Sequence, residues 1–393
     1  MKAVVCQNTK LSVKTLPEPV PAKGQVLVEV LRCGICGSDL HLRHHCERMG
    51  AMLTKVGVPA DAFPKLSDPI VFGHEFCAEV LDYGPGCKKT LKPGTRVVSQ
   101  NLIRANGRIE LQGLTTGVTG AYAERMLLQE VTMMPVPNGL SSDVAALTEP
   151  MAVAFHAVKR SEIARRDVAL VIGCGPVGLA VICLLKARGV KTIVASDFSP
   201  GRRALATRCG ADVVVDPAQA SPYADWKAYG HIQQFPDLLE LGMKTLEGLR
   251  KLPVPWWHAW RLAEKVGAAD LKRPVIFECV GVPGVLQQVI EGAPLLSRIV
   301  VVGVCMQRDH IEPALAIQKE VDLRFVLGHT PLDFHDTLQL MGEGKVDCTP
   351  LLTGVVGLHG VAKAFEALGD PEQHAKILID PQSAAKAPEP LAA

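Results

Sequence analysis

Three short stretches in the first half of the chain carry side chains that bind transition metals. Cys36 lies in CGICGSDLH at residues 33–41, His74 and Glu75 lie in FGHEF, and Glu149 lies in LTEPM. Thiolate, imidazole and carboxylate groups are all zinc ligands. A catalytic zinc site uses three such side chains and leaves its fourth position to water or substrate. The residue types therefore allow a metal site that does chemistry.

Each of these residues also has an ordinary structural explanation. Cys36 fits a buried thiol, His74 a core histidine bonded to the backbone, and Glu149 a capping carboxylate, because Pro150 follows it at an apparent helix start. Cys33 and Cys36 together form a C-x-x-C pair, and no second such pair follows in the chain. Spacing alone leaves a structural zinc site, a redox pair and a catalytic metal site open.

A glycine-rich turn in the second half has the spacing of a dinucleotide-binding loop. It follows the apolar run VALVI, opens a helical pattern, and contains Gly173, Gly175, Pro176, Val177 and Gly178. The first glycine permits a tight turn, the second lets the backbone approach a pyrophosphate, and the third lets the helix pack closely on the strand. The helix N-terminus then favours the anion. These five residues are predicted to contact a cofactor.

The predicted cofactor is NAD rather than NADP. Asp197 ends the next predicted strand, nineteen residues beyond Gly178, where a carboxylate accepts hydrogen bonds from the ribose hydroxyls and repels a 2′-phosphate. Arg202 weakens this preference, because arginine can hold a 2′-phosphate, and we include it among the cofactor contacts. Three valines near the ends of later strands complete the predicted set: Val280, Val302 and Val304.

The elements that position these residues change in character along the chain. Residues 1–150 show short β-like runs separated by Pro and Gly. From about Asp167, apolar strand-like runs alternate with helical patterns, which indicates a parallel sheet buried on both faces. The predicted fold class is α/β, with a doubly wound cofactor domain beside a β-rich domain.

A stretch of about 57 residues between the third and fourth strands of the α/β part is longer than a crossover needs. It holds all four tryptophans, at positions 226, 256, 257 and 260, and two amphipathic patterns. We expect a helical insert at about 218–272. Packing on its own domain, a subunit interface and a lid over the cleft are the three interpretations.

Composition excludes several classes of protein. The 393 residues carry a formal net charge of +2 without basic runs, so neither nucleic acid nor a membrane is an expected partner. Apolar residues form 48% of the chain, which is enough for two buried cores. The twelve cysteines are scattered, and no apolar signal region precedes the first strand. We expect a cytoplasmic protein.

GICGSDLH, GHE and TEPMAVAFHAV, in this order before the glycine-rich turn, resemble the motifs of the zinc-dependent medium-chain dehydrogenase/reductase family. The resemblance implies a GroES-like catalytic domain at 1–153 with 328–393, and a Rossmann coenzyme domain at 154–327. It implies one catalytic zinc ion per subunit, with Cys36, His74 and Glu149 as ligands. Glu75 matches the family's glutamate that can approach the metal.

The resemblance also implies a reaction, the interconversion of an alcohol and its carbonyl compound by hydride transfer to or from NAD. We expect the alcohol to be secondary. Ser38 matches the hydroxyl that takes the alcohol proton, and His41 matches the relay histidine reached through the cofactor ribose. Asp39 matches the carboxylate that orients the ligand histidine. Alternatives are a polyol, sugar or amino-alcohol dehydrogenase of the same family, or an NADP-dependent carbonyl reductase.

The chain departs from the family pattern where many relatives bind a structural zinc. Residues 101–120 contain no cysteine, so we expect no structural zinc. The family implies a homodimer or homotetramer and a small alcohol or carbonyl substrate. Apolar Phe72, Leu114 and Leu327 are predicted cleft residues that favour a non-sugar substrate. The small, Pro-rich segment after Asp380 is predicted to be disordered.

Overall fold

The first 161 residues fold mainly as β-strands, in agreement with their short, punctuated apolar runs. The structure, a computed structural model, describes residues 1–137, 139–269 and 271–391. The strands of this part are β1 (Lys2–Gln7), β2 (Lys10–Thr15), β3 (Gln25–Gly34), β4 (Glu75–Tyr83), β5 (Arg96–Ser99), β6 (Leu102–Ala105), β7 (Arg108–Leu111), β8 (Arg125–Gln129) and β9 (Met133–Pro135). Its helices are α1 (Gly37–Thr54), α2 (Ser142–Ala145) and α3 (Thr148–Ser161).

The middle of the chain forms a sheet of six parallel strands. These are β10 (Val168–Ile172), β11 (Thr192–Ser196), β12 (Val213–Val215), β13 (Val275–Glu278), β14 (Arg298–Val301) and β15 (Asp322–Phe325). Their spatial order is β12-β11-β10-β13-β14-β15, so the direction of winding reverses between β10 and β13. Ligands of doubly wound sheets bind in the crevice at such a switch point, at the carboxyl ends of the strands.

Helices connect these strands and continue beyond the last one. They are α4 (Pro176–Ala187), α5 (Pro200–Cys209), α6 (Phe235–Leu249), α7 (Trp256–Lys265), α8 (Val285–Gly292), α9 (Pro313–Gln318) and α10 (Pro331–Gly342). Helix α4 is apolar on almost every side, and eight of its twelve residues are buried. It can be so apolar because α3 covers the side that the sheet does not.

The end of the chain returns to the first sheet. It forms β16 (Leu352–Val356), α11 (Val361–Ala367) and β17 (Lys376–Ile379). Strand β17 pairs antiparallel with β3, opposite Cys33 and Gly34, and the sheet order is β16-β17-β3-β4-β5-β9. The C-terminal strands therefore lie beside the segment that leads into the predicted metal site.

One continuous core joins the two parts of the chain. Met151 of α3, Leu179 of α4 and Leu338 of α10 belong to the same buried cluster. A second cluster fills the β-rich part, and a third covers the other face of the parallel sheet. Because α3 carries Glu149 in its first turn, this shared core fixes a predicted site residue relative to the nucleotide loop.

Two expectations are wrong. The segment after Asp380 was predicted to be disordered, but within the described residues it is held in place, because Glu389 pairs with Val355 of β16 through both backbone hydrogen bonds. Edge pairing of this kind orders a chain whatever its proline content. Phe72 is not a cleft residue: it is 1% exposed and packs against the rings of Tyr122 and Phe365 in the β-rich core.

Among the described residues, no helix is long and apolar enough to cross a bilayer.

Candidate active site

The turn before β4 places His74. Gly73 has φ +102°, and a Cβ there would lie 2.6 Å from the ring of Tyr122 and 2.9 Å from the sulfur of Cys33. Only glycine fits this backbone and this gap. The glycine of GHE is therefore needed for the turn that places His74, buried, directly before β4.

The N-terminus of α1 places Cys36 and Asp39. Cys36 is the N-cap residue, and its backbone N–H donates to Asp39 Oδ2 over 3.0 Å. The Tyr122 hydroxyl donates to the same oxygen over 2.8 Å. Asp39 Oδ1 lies 3.5 Å from His74 Nδ1. The carboxylate is thus held so that one oxygen faces the imidazole.

Three potential ligands converge at this point. The donor atoms of Cys36, His74 and Glu75 lie within 4.8 Å of one another, and this is the single group of its kind in the described part of the chain. Ser38 Oγ lies 3.2 Å from His74 Nε2. His74 therefore turns Nδ1 towards the Asp39 carboxylate and Nε2 towards Ser38, and a carboxylate beside one ring nitrogen is typical of metal-binding histidines.

Glu75 has a buried counterion that sequence reasoning missed. Lys376 of β17 donates to both carboxylate oxygens over 2.8 and 2.7 Å, and to the carbonyl of Ile35 over 2.9 Å. Both side chains are almost completely inaccessible to solvent. The signal in the sequence was a single lysine inside the apolar run AKILI, 301 residues from Glu75.

Glu149 lies outside the three-residue group. Its carboxylate is 3.8 Å from His329 Nε2, and both side chains are mostly buried. Burial raises the pKa of the Glu149 carboxyl to about 7; Glu75 acts in the same direction and His74 opposes both. The charges of His74 and Glu75 therefore act on Glu149 in the first turn of α3.

The donor set fits a divalent cation. Burial raises the pKa of the Cys36 thiol, and Glu75 adds to the effect. For His74, burial favours the neutral ring, but Asp39 and Cys36 outweigh it and raise the pKa. Asp39 Oδ1 and His74 Nδ1 face each other, buried, without an ideal hydrogen bond. A cation at the thiolate and Nε2 would supply the charge that these buried groups need.

The remaining predicted proton-path residue lies one turn further along α1. His41 follows Ser38 by three residues, so both lie on the same side of the helix. His41 is exposed at the surface, and its partial desolvation by the surrounding protein, together with His45, lowers its pKa. Helix α1 continues to Thr54, with a non-helical residue at His45.

The nucleotide loop follows β10 and opens α4 as predicted from its glycines. Gly173 has φ +89°, and a Cβ there would lie 2.6 Å from Val280 Cγ2. At Gly178 a Cβ would overlap the carbonyl oxygen of Gly173. At Gly175 a Cβ would meet no atom within 4 Å. Contacts within the protein thus require Gly173 and Gly178, whereas Gly175 leaves open space beside its backbone. Pro176 and Val177 form the first turn of α4.

Asp197 lies at the end of β11, beside this loop. Its carboxylate accepts hydrogen bonds from Cys174 N over 2.8 Å and from Ser199 N over 2.9 Å. Arg202 Nη1 lies 4.0 Å from the same carboxylate. Arg203 contacts Asp216 over 3.2 Å. The arginine pair therefore faces carboxylates of its own domain.

The other predicted cofactor residues line the far side of the switch point. Val280 and Val304 are partly exposed after β13 and β14, whereas Val302 is buried. Sequence reasoning missed Glu278, whose buried carboxylate accepts hydrogen bonds from Val280 N and Gly281 N over 2.7 and 2.8 Å. A charged residue ending the apolar run VIFE was the available signal.

The fold and the donor group define a class: a GroES-like β-domain with a thiolate–imidazole–carboxylate centre, joined to a Rossmann domain. Comparisons with known proteins agree. Residues 22–138 match the alcohol dehydrogenase GroES-like domain, and residues 176–343 match the zinc-binding dehydrogenase family.

Relatives cover nearly the whole length of the chain. An (R,R)-butanediol dehydrogenase of Bacillus subtilis (strain 168) is 31% identical over 97% of this chain and 100% of its own. A sorbitol dehydrogenase of the same organism is 26% identical, covering 97% of this chain and 97% of its own. The crystal structure of 2R,3R-butanediol dehydrogenase from Bacillus subtilis superposes with a TM-score of 0.72 at 29% identity, covering 97% and 99%.

The chain belongs to the zinc-dependent medium-chain dehydrogenase/reductase family. It is an NAD(P)-dependent enzyme of the alcohol dehydrogenase type.

Proposed function

We propose that the enzyme oxidises vicinal diols and related secondary alcohols to ketones with NAD, using one zinc ion per subunit. The observation that carries the proposal is the convergence of Cys36, His74 and Glu75 beside α3, the helix that packs on α4 of the nucleotide loop. The named relatives act on alcohols with secondary hydroxyl groups, which favours this substrate class over primary alcohols.

We assign the metal to Cys36, His74 and Glu149. Glu75 is close enough to bind, but Lys376 already occupies both of its oxygens. Among the described residues no lysine hydrogen-bonds the Glu149 carboxylate, and Lys376 acts on it only through its charge. Burial raises the pKa of this carboxyl to about 7, and a bound cation would favour its charged form. Glu75 with Lys376 then serves as a neutral pair that shapes the site.

When bound, zinc acts as a Lewis acid that lowers the pKa of an alcohol. The chain's own residues do the rest. Asp39 holds the imidazole of His74 in one orientation through Nδ1. Ser38 Oγ would take up the alcohol proton as it releases its own hydroxyl proton, and His41, exposed on the same side of α1, would release a proton to solvent.

NAD is the proposed cofactor because Asp197 stands where the ribose hydroxyls would bind. Its two backbone hydrogen bonds fix the carboxylate there, which then repels a 2′-phosphate. Arg203 is engaged with Asp216, whereas Arg202 lies 4.0 Å from Asp197 and its buried Nε has no hydrogen-bond partner among the described residues, so the proposed preference rests on the Asp197 carboxylate.

The proposed domain division follows the sheets. Residues 1–153 and 328–393 form the catalytic unit, because β16 and β17 extend the sheet of β3. Residues 154–327 form the cofactor unit around β10–β15, with the insert at about 218–272.

A substrate and cofactor panel tests the proposal. The purified enzyme is assayed for NAD reduction with 2,3-butanediol stereoisomers, sorbitol, threonine, a primary alcohol and a cyclic secondary alcohol. We expect the highest kcat/KM with a vicinal diol. The Asp197→Ala variant should lose at least about tenfold in its preference for NAD over NADP, a change of about 1.4 kcal/mol. Higher activity with primary alcohols would refute the substrate class, and an unchanged cofactor preference would refute the role of Asp197.

A further inference from the structure

The insert divides into a buried aromatic turn and an exposed helical hairpin. Trp226 is 1% exposed and packs with Leu170, Val194 and Ile276 of the parallel sheet. Tyr223 lies against α8, where a Cβ on Gly292 would overlap its ring. The aromatic turn therefore covers the face of the sheet that a crossover helix normally covers. Helices α6 and α7 follow it in the chain and have no sheet to pack on.

No residue of α6 or α7 is buried. The two helices contact each other, and their partly buried positions are 238, 242, 245, 246 and 249 on α6 and 256, 259, 260 and 263 on α7. Nine large apolar side chains of the hairpin are 40–67% exposed: Phe235, Leu239, Leu241, Met243, Leu252, Val254, Trp257, Leu262 and Val266. Helices of this length are marginal in water without a packed apolar face, so this surface needs a cover.

The two helices leave a groove of about 490 Å³ between them, here called the tryptophan groove. Its lining residues are Gly242, Leu246, Trp256, Trp257, Trp260, Arg261 and Glu264. Gly242 lies inside α6, where glycine costs up to about 1 kcal/mol relative to alanine. A Cβ at this position would meet no atom within 4 Å. The protomer itself does not require this glycine, and its absent side chain keeps the groove open.

We propose that the hairpin is a homodimer interface, in which α6 and α7 of two copies pack as a four-helix bundle around a two-fold axis. The nine exposed side chains present an apolar area on the order of 700 Å² per protomer, close to the roughly 800 Å² that each partner contributes to a stable interface. Burial of aromatic side chains at the centre of such a patch is what makes an interface strong.

The charges of the hairpin favour an antiparallel pair. Asp237 and Glu240 lie near the start of α6, and Arg250 and Lys251 lie at its end. Among the described residues, one ion pair forms within the hairpin, between Lys244 and Glu240. A two-fold axis across α6 places the basic end of one copy beside the acidic end of the other. The surface is thus complementary to itself, as an isologous contact requires.

A membrane is a poorer partner for the same surface. Residues 235–269 carry five Lys or Arg and four Asp or Glu, interspersed along both helices. Helices that bind anionic bilayers have a polar face rich in Lys and Arg. The nearly neutral hairpin lacks that attraction.

Two variants of α6 test the interface. Gly242→Glu places a carboxylate in the tryptophan groove, whereas Lys244→Glu is a control that adds a carboxylate to the charged face of the same helix, beside Glu240 and outside the groove. The mass of the purified holoenzyme is measured by size exclusion with light scattering over a range of concentrations. We expect Gly242→Glu to halve the mass relative to the wild type, and Lys244→Glu to leave it unchanged.

Tryptophan emission gives a second readout, since three of the four tryptophans lie in α7 and Trp226 stays buried. Dilution of the wild type should shift the emission to the red over the concentration range in which the mass falls. A monomeric wild type, equal masses for the wild type and both variants, or an equal loss of mass in both variants would overturn the proposal. Wild-type cosedimentation with phosphatidylglycerol vesicles that Gly242→Glu abolishes, without a change of mass, would also overturn it and assign the surface to lipid.

Discussion

Alanine at Gly175 and at Gly178 should separate cofactor binding from folding. Gly175 has φ −70° and ψ −177°, which alanine adopts without strain, and a Cβ there points into open space. The change in the free energy of unfolding of the cofactor-free enzyme should be within about 1 kcal/mol of zero. The methyl group would stand where the pyrophosphate approaches the backbone, so the Kd for NAD should rise at least about tenfold, or 1.4 kcal/mol.

Gly178→Ala should behave in the opposite way. Its Cβ would overlap the carbonyl oxygen of Gly173, and the next atom, the carbonyl carbon, would be 3.0 Å away. Either α4 or β10 must move, although both are buried. Overpacking of this kind costs about 1–3 kcal/mol. The cofactor-free variant should unfold at lower urea concentration than the wild type.

The two variants are compared by urea denaturation of the cofactor-free enzyme and by calorimetric titration with NAD. Gly175→Ala with wild-type affinity for NAD would refute the assignment of the loop to the pyrophosphate. Gly178→Ala as stable as the wild type would refute the close packing of α4 on β10. Equal losses in both measurements for both variants would mean that the two glycines have no separate roles.

Two further perturbations test the buried charges. Lys376→Met should destabilise the enzyme by about 3–5 kcal/mol in urea denaturation, because Glu75 keeps a buried, unpaired charge. Adding Glu75→Gln should restore much of the lost stability, and Lys363→Met, at an exposed lysine, is the control. Additive losses in the double variant would contradict the pairing. Burial favours the neutral form of Asp333, but hydrogen bonds from Lys159, Thr330 and His156 outweigh it and hold its pKa well below the usual range. The wild type should therefore lose stability as pH falls below about 4. Asp333→Asn should be less stable at neutral pH and should lose less stability in acid, as measured by thermal denaturation at each pH. Parallel stability profiles of the two proteins would contradict this.

Local chemistry explains which features the sequence predicted. The nucleotide loop and the GHE turn depend on glycines within a few residues of one another, so their spacing carries the geometry. The contact of Lys376 with Glu75 spans 301 residues, and no local pattern encodes it. Only the topology, with β17 paired to β3, brings the lysine under the site.

The insert shows the same limit. Its two helices follow from their amphipathic patterns, and the tryptophans marked the whole stretch as unusual. Composition did not distinguish Trp226, which fills the core, from Trp257, which is half exposed. That difference depends on which segment packs on the sheet, and the aromatic turn that contains Trp226 does so.

Zinc content of two cysteine variants tests the central claim most directly. Cys33 and Cys36 lie three residues apart, Cys33 buried and Cys36 half-buried, but only Cys36 belongs to the donor group. Metal analysis is combined with NAD titration and with 2,3-butanediol oxidation. We expect Cys33→Ala to keep about one zinc per chain and its activity, and Cys36→Ala to lose both while still binding NAD. A Cys36→Ala enzyme that retains zinc and activity would contradict the proposed site.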